Sequence, residues 1–257
     1  MADRLNAVLA RDGYRLEVAG HESGYPIYRV CSATQGVAGA PKNLIFASVG
    51  PKPEIGFRDA INNDIVILSN AESCLIYDRP ISPDGLLWSE LVDWWSFTKC
   101  EPDISATVAG KSLGRRLQDS LGSDAERGLF NGYFRSLRAI WNEALPALVP
   151  QVYLHYDPAV VARLRHRATF PRQRMDFLLL LPRNARVVLE IDGAHHFSRD
   201  GRASLGVYAD TMRADRDLRL LGYEIYRFGA NELVGRDVDA LIASFFGRLF
   251  EKHRVTR

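Results

Sequence analysis

Cysteine and methionine are scarce in this chain, at three each in 257 residues. Cys31, Cys74 and Cys100 are odd in number, widely spaced and without histidines at zinc-ligand spacing, so they read as ordinary thiols rather than a disulfide framework or a zinc site. No run of about 18 uncharged apolar residues occurs, and no membrane-spanning helix is expected. The first residues, MADRLNAVLARDGY, carry no signal-peptide pattern, which makes a cytoplasmic location the expectation. Internal repeats and low-complexity tracts are missing as well. Lysine is absent between Lys111 and Lys252, so positive charge in the second half must come from arginine or histidine.

What is present suits a folded protein of one large or two modest domains, since 47% of residues are hydrophobic. The net charge is only +2, but it is unevenly spread. Residues 1–120 hold 12 Lys+Arg against 15 Asp+Glu, or −3, and residues 121–257 hold 21 against 16, or +5. Arg163, Arg165, His166, Arg167, Arg172 and Arg174 crowd into a short stretch of the basic half, where a positive rim would meet a phosphate backbone. The mild overall charge argues against tight non-specific DNA binding.

Just after that stretch, residues 175–196 read MDFLLLLPRNARVVLEIDGAHH. Two apolar runs flank the polar segment Pro182-Arg183-Asn184-Ala185, the pattern of a buried β-hairpin. Asp176 opens the first run; Glu190 and Asp192 close the second. Side chains alternate between the faces of a strand, so the three acids share a face only if the loop is odd-numbered or bulged. They then lie within roughly 5–8 Å of one another, and like charges that close repel unless a cation or proton intervenes. Oxygen ligands of this kind suit Mg²⁺ or Mn²⁺ rather than zinc.

The order Asp176, then Glu190-Ile191-Asp192-Gly193, then His196 resembles the core of the PD-(D/E)XK nucleases, in particular the branch of the Vsr-type very-short-patch-repair endonucleases with an E-(I/V)-D-G-x-x-H signature. The resemblance covers about residues 120–235. Ser123-Asp124-Ala125-Glu126 is similar to that branch's first-helix motif, Gln151 to its first strand, and Leu220 to Phe228 to its last helix-to-strand passage. It implies a restriction-endonuclease-like α/β sandwich and a metal-dependent endonuclease. Asp176, Glu190 and the Ile191 carbonyl would hold Mg²⁺ or Mn²⁺, and Asp192 would occupy the slot where the wider superfamily has lysine. His196 or His195 would assist proton transfer, and Glu126 would stand as a fourth acid near the metal.

Glu126 also has a plain local reading, because Ser123 and Glu126 form a capping box that opens a helix running toward Pro146. A strand is expected at Val152–Tyr156, a helix from about Tyr208 to Leu221, a strand at Glu224–Phe228 and a packing helix at Asp237–Phe250. On the helix ending at Gly222, Arg213 and Arg216 are one turn apart and could point at one phosphate or carboxylate; Arg213, Asp215, Arg216 and Asp217 otherwise read as a solvated face.

The first half offers strands at Tyr25–Val30, Asn43–Ser48, Ile65–Leu68 and Cys74–Tyr77 and an amphipathic helix at Asp84–Phe97. NLIFASVGPKPEI, INNDIVIL, YDRPISPDGLLW and LVDWW resemble the N-terminal domain of AbiJ-type abortive-infection proteins. That implies a sensor or specificity module in defence against phage, with a phage or host protein as its trigger. Lys52, Asn62, Asn63, Asp64, Asp78 and Arg79 are polar groups beside strand ends, open to a ligand role or to turn and cap duties.

The expectation is therefore a mixed α/β domain over residues 1–110 and a nuclease-like α/β sandwich over 120–257, with the interruption in apolar periodicity at 100–122 as the boundary. The partner would be nucleic acid, DNA before RNA, with no membrane involved. The arginines at 163, 165, 167, 172, 174, 213 and 216 would contact its phosphates. The alternative is a nucleic-acid- or protein-binding module that keeps the fold without turnover.

Overall fold

A computed structural model describes residues 2–9, 14–22, 24–32, 44–59, 64–79, 81, 84–98, 104–155, 174–193, 198–199, 202–220 and 222–256. Its centre is a six-stranded mixed sheet. In spatial order the strands are β12 (Tyr223–Gly229), β9 (Ala185–Asp192), β8 (Met175–Leu181), β7 (Val149–His155), β3 (Leu44–Phe46) and β6 (Leu75–Tyr77). Only the β12–β9 pair is parallel. All seven residues of β8 are buried, as expected of a central strand covered on both faces.

Strands from residues 44–77 and from residues 149–229 thus share one ladder. One apolar core likewise runs from Leu44 and Phe46 through Trp94, Leu129 and Phe177 to Phe250. The sheet and its core cross the boundary expected near residues 100–122. That stretch contains a helix, α3 (Ala106–Gln118), capped by Ser105, whose hydroxyl accepts the Val108 N–H. Ala109, Leu113 and Leu117 fall every fourth residue on its buried face. Gly110 and Gly114 masked that periodicity. Each weakens a helix by only about 1 kcal/mol, so burial of the leucine face prevails.

The other described helices are α1 (Ala2–Leu9), α2 (Trp88–Thr98), α4 (Asp124–Trp141), α5 (Leu205–Leu220) and α6 (Val238–Lys252). α4 and α6 cover one face of the sheet. Phe130 stacks on Phe177 at 6.4 Å, Tyr133 meets Phe246 at 4.6 Å, and Phe245 meets Phe228 at 4.9 Å. α2 continues this layer toward β3 through Trp94 against Phe46. α5 lies on the opposite face, beside β12, and ends at Gly222, whose φ of 93° suits the left-handed helix stop. The fold is thus mixed α/β.

Two further hairpins, β1 (Tyr14–Glu22) with β2 (Tyr25–Ser32) and β4 (Glu54–Asp59) with β5 (Asp64–Ser69), are antiparallel pairs. β1 and β4 lack the clean alternation that marks a strand in sequence. β10 (Ser198–Arg199) and β11 (Arg202–Ala203) make a short antiparallel pair. Gly85 is required where it stands. Its φ is 96°, and a Cβ there would lie 2.2 Å from the Leu180 carbonyl oxygen.

Candidate active site

The β8–β9 hairpin turns through Pro182, Arg183 and Asn184, since Leu181 pairs with Ala185. Three is the odd length that the face argument requires. Arg183 and Asn184 adopt the left-handed region, with φ of 64° and 57°, to close the loop. In this register Phe177 faces Leu189, and one step further Asp176 stands opposite Glu190. On the other side of β9, Arg227 of β12 is paired with Glu190. Asp176, Glu190 and Arg227 therefore lie abreast on three neighbouring strands, on the face that carries α5.

The surrounding bonds join these residues into one network. The Ile191 N–H donates to Asp176 Oδ2 at 2.9 Å, and Arg174 approaches Asp176 Oδ1 at 3.5 Å. Arg227 donates through Nη1 to Asp192 at 2.5 Å and through Nε and Nη2 to both oxygens of Asp215 on α5, at 3.0 and 2.7 Å. Asp176 and Asp215 are buried, at 5% and 7% exposure. Asp215 is the only buried residue of α5.

Glu190 bears the consequence. Burial, followed by the neighbouring Asp176 carboxylate, pushes its pKa up to about 8; Arg227 pulls it down, while Asp215 and Asp192 push it further up. Arg227 itself is held firmly protonated by its hydrogen bonds to Asp215. The crowding foreseen from strand parity is thus present, and a fixed arginine offsets part of it.

Glu126 sits in the first turn of α4 and is buried. Ser123 accepts the Glu126 N–H at 3.2 Å, and the Glu126 carboxylate accepts the Gly122 N–H at 2.9 Å and the Ser123 hydroxyl at 3.1 Å. The same carboxylate accepts Gln151 Nε2 at 2.6 Å. Gln151 lies between Pro150, opposite Phe177, and Val152, opposite Met175, so its backbone is abreast of Asp176. Its φ of 51° interrupts the alternation of β7 and its side chain is spent on Glu126. Glu126 is therefore tied to the row through Gln151, with the cap using both of its oxygens.

The remaining expected residues divide into two groups. His195, His196, Arg163, Arg165, Arg167 and Arg172 lie outside the described residues, as do Asn62 and Asn63. Arg213 pairs with Asp210 at 2.9 Å on the exposed face of α5, and Arg216 is exposed. Asp78 accepts Trp94 Nε1, the Lys52 carbonyl accepts Asn70 Nδ2, and Arg79 lies 5.6 Å over Phe97, which are turn and packing duties. Cys74 is buried, and its thiol donates to the Ala71 carbonyl at 3.4 Å.

Asp215 and Arg227 are the members of the network that sequence reasoning passed over. Arg227 could have been found by parity, since it shares a face with the buried Tyr223 and Ile225 on a strand that follows a helix. Asp215 gave no such signal, because the apolar face of α5 is weak and its charges look like a surface ladder.

Among the described residues no group of three or more His, Cys, Asp and Glu side chains is arranged to hold a metal ion. Asp176, Glu190 and the Ile191 carbonyl nevertheless form a donor set that suits Mg²⁺, which takes one or two carboxylates and fills its remaining positions with water. The raised pKa of Glu190 marks a place where a further cation would be welcome. No helix of the described residues is long and apolar enough to cross a membrane. Comparison with family models, with curated proteins and with solved structures finds no match to this chain.

Proposed function

We propose that the row Asp176–Glu190–Arg227 is the active centre of a metal-dependent endonuclease of the restriction-endonuclease-like class, acting on nucleic acid and on DNA before RNA. The observation that carries this reading is the pairing of two carboxylates on adjacent strands, where burial and then the Asp176 charge raise Glu190 to about 8, beside a fixed arginine. Buried acids with strongly shifted pKa values cluster at functional sites.

In this reading Asp176, Glu190 and the Ile191 carbonyl hold Mg²⁺ or Mn²⁺. When bound, such an ion lowers the pKa of water and offsets charge on the phosphoryl oxygens. Arg227 supplies the permanent positive charge that a lysine supplies elsewhere, but one step removed, because its own hydrogen bonds go to Asp192 and Asp215. Asp192, in the vacated lysine slot, keeps that guanidinium beside Glu190. Arg174, exposed and next to Asp176, is placed to meet a phosphate. His196 acts as the proton-transfer group, with His195 beside it. The basic stretch from Arg163 to Arg172 extends the phosphate contacts, with Arg213 and Arg216 further out. The first 110 residues serve as a sensor or specificity module in defence against phage, triggered by a phage or host protein.

A second reading is favoured by one observation: Arg227 already offsets Asp192 and Asp215. The network could then be a structural ion cluster in a binding module without turnover. Incubating purified protein with duplex and single-stranded DNA and RNA, with Mg²⁺ or Mn²⁺, separates the two. Cleavage lost in Glu190→Ala supports the nuclease; binding without cleavage by wild type supports the module.

A further inference from the structure

On the helical face of the molecule, α2, α3 and α4 flank an open cleft of about 280 Å³ lined by Trp88, Phe130, Phe134, Lys111, Arg115 and Arg138. Three of these residues are cations and none is an acid. The floor is aromatic, with Phe134 edge-on to both Trp88 and Phe130 at 4.7 and 5.0 Å. Trp88 is 5% exposed, and its indole Nε1 is buried without a hydrogen-bond partner among the described residues. A buried N–H left unpaired costs about 1–3 kcal/mol, so such a donor calls for an acceptor.

The geometry brings that donor and a guanidinium together. Measured from the position a Cβ would take on Gly110, Arg138 Nη2 is at 3.7 Å and Trp88 Nε1 at 3.8 Å. Lys111 and Arg115, one turn apart on α3, flank the same opening. On the opposite wall Gln118 donates to Asn131, which ties α3 to α4 across the cleft and fixes its width.

We infer that this cleft binds the phosphoryl group of a small molecule, such as a nucleoside diphosphate, at a site separate from the acid row. Three cations with no acid among them match the two or more negative charges of a phosphoryl group better than the single charge of a carboxylate. A volume of about 280 Å³ lies at the small end of small-molecule sites. The phosphate oxygens accept from Trp88 Nε1, Arg138 and Arg115, with Lys111 at the rim. The inference does not depend on the nuclease reading.

The test follows the indole N–H resonance of Trp88, assigned by its loss in Trp88→Phe, while the full-length protein is titrated with pyrophosphate, ADP and adenosine. The resonance should move saturably with pyrophosphate and with ADP and stay still with adenosine; a tighter constant for ADP than for pyrophosphate identifies a nucleotide as the source, and equal constants identify the phosphate alone. Calorimetry should give a dissociation constant about ten-fold weaker or more in Arg138→Ala and again in Arg115→Ala, and roughly three- to ten-fold weaker in Trp88→Phe. Both arginines are exposed, so these variants should melt like wild type. A Trp88 resonance unmoved by either phosphate compound, unchanged affinity in the Arg115→Ala/Arg138→Ala double variant, or equal competition by an oligonucleotide without a terminal phosphate would each overturn the proposal.

Discussion

Arg227 on β12 is paired with Glu190 on β9, and its guanidinium joins Asp192 at the end of β9 to Asp215 on α5. Its guanidinium is committed to Asp192 and Asp215, so it lowers the charge density around Glu190 without bonding to it. Glu190 is left as the carboxylate that titrates near neutrality.

A first consequence concerns pH. The folded pKa of Glu190, about 8, exceeds its ordinary value of 4.5. Between these values the folded state holds a proton that the unfolded state has lost. Stability from this group is therefore complete below the ordinary value and is lost as pH rises through about 8. Glu190→Gln, which is neutral at every pH, should remove this slope. Denaturant midpoints of wild type and variant across that window are the check, and parallel curves would contradict it.

Mg²⁺ should reverse the shift, because a cation favours the charged form. Binding near neutral pH then releases protons. Calorimetric titration in two buffers of different ionisation enthalpy should give different apparent heats for wild type and equal heats for Glu190→Gln. Equal heats in both proteins would mean that Glu190 is not at the metal.

Removing Arg227 should be costly, since it leaves Asp215 buried and unpaired. Arg227→Ala is expected to lose about 3 kcal/mol of stability. A double-mutant cycle with Asp215→Asn should recover part of that loss. Purely additive losses would show that the pair contributes nothing beyond its packing.

Glu126→Ala keeps the Ser123 cap but removes the acceptor of the Gly122 N–H and strands the Gln151 amide. The first loss costs about 1 kcal/mol and the buried amide about 1–3 kcal/mol. Unfolding should report roughly their sum, with Mg²⁺ affinity unchanged. A loss of Mg²⁺ affinity instead would make Glu126 a member of the metal site and not only its support.

Much of this site was legible in the sequence because a strand has a period of two. Given FLLLL and VVLEID, parity put the three acids on one face only if the loop was odd or bulged, and the three-residue turn is odd. The capping box at Ser123 and Glu126 was also local information, although the carboxylate reaches to the Gly122 N–H rather than to that of Ser123. Long-range pairings were hidden. Nothing in residues 44–46 or 75–77 announces that they extend the sheet of residues 149–229, since strand order depends on contacts made a hundred residues away. The helix at Ala106–Gln118 was obscured by two glycines, and Asp215 by its charged neighbours on a weakly amphipathic helix.

The central claim is that the acid row performs chemistry, and cleavage by Glu190→Gln tests it most directly. This variant keeps the size and neutrality of the protonated acid, so fold and nucleic-acid binding should persist. With Mg²⁺ or Mn²⁺ and a panel of DNA and RNA, wild type should cleave and Glu190→Gln should not. His196→Ala should fall on the order of 10²–10⁴-fold, and Arg174→Ala should bind more weakly with a salt dependence flatter by about one phosphate. Cleavage by Glu190→Gln at the wild-type rate would contradict the account and place the active centre elsewhere.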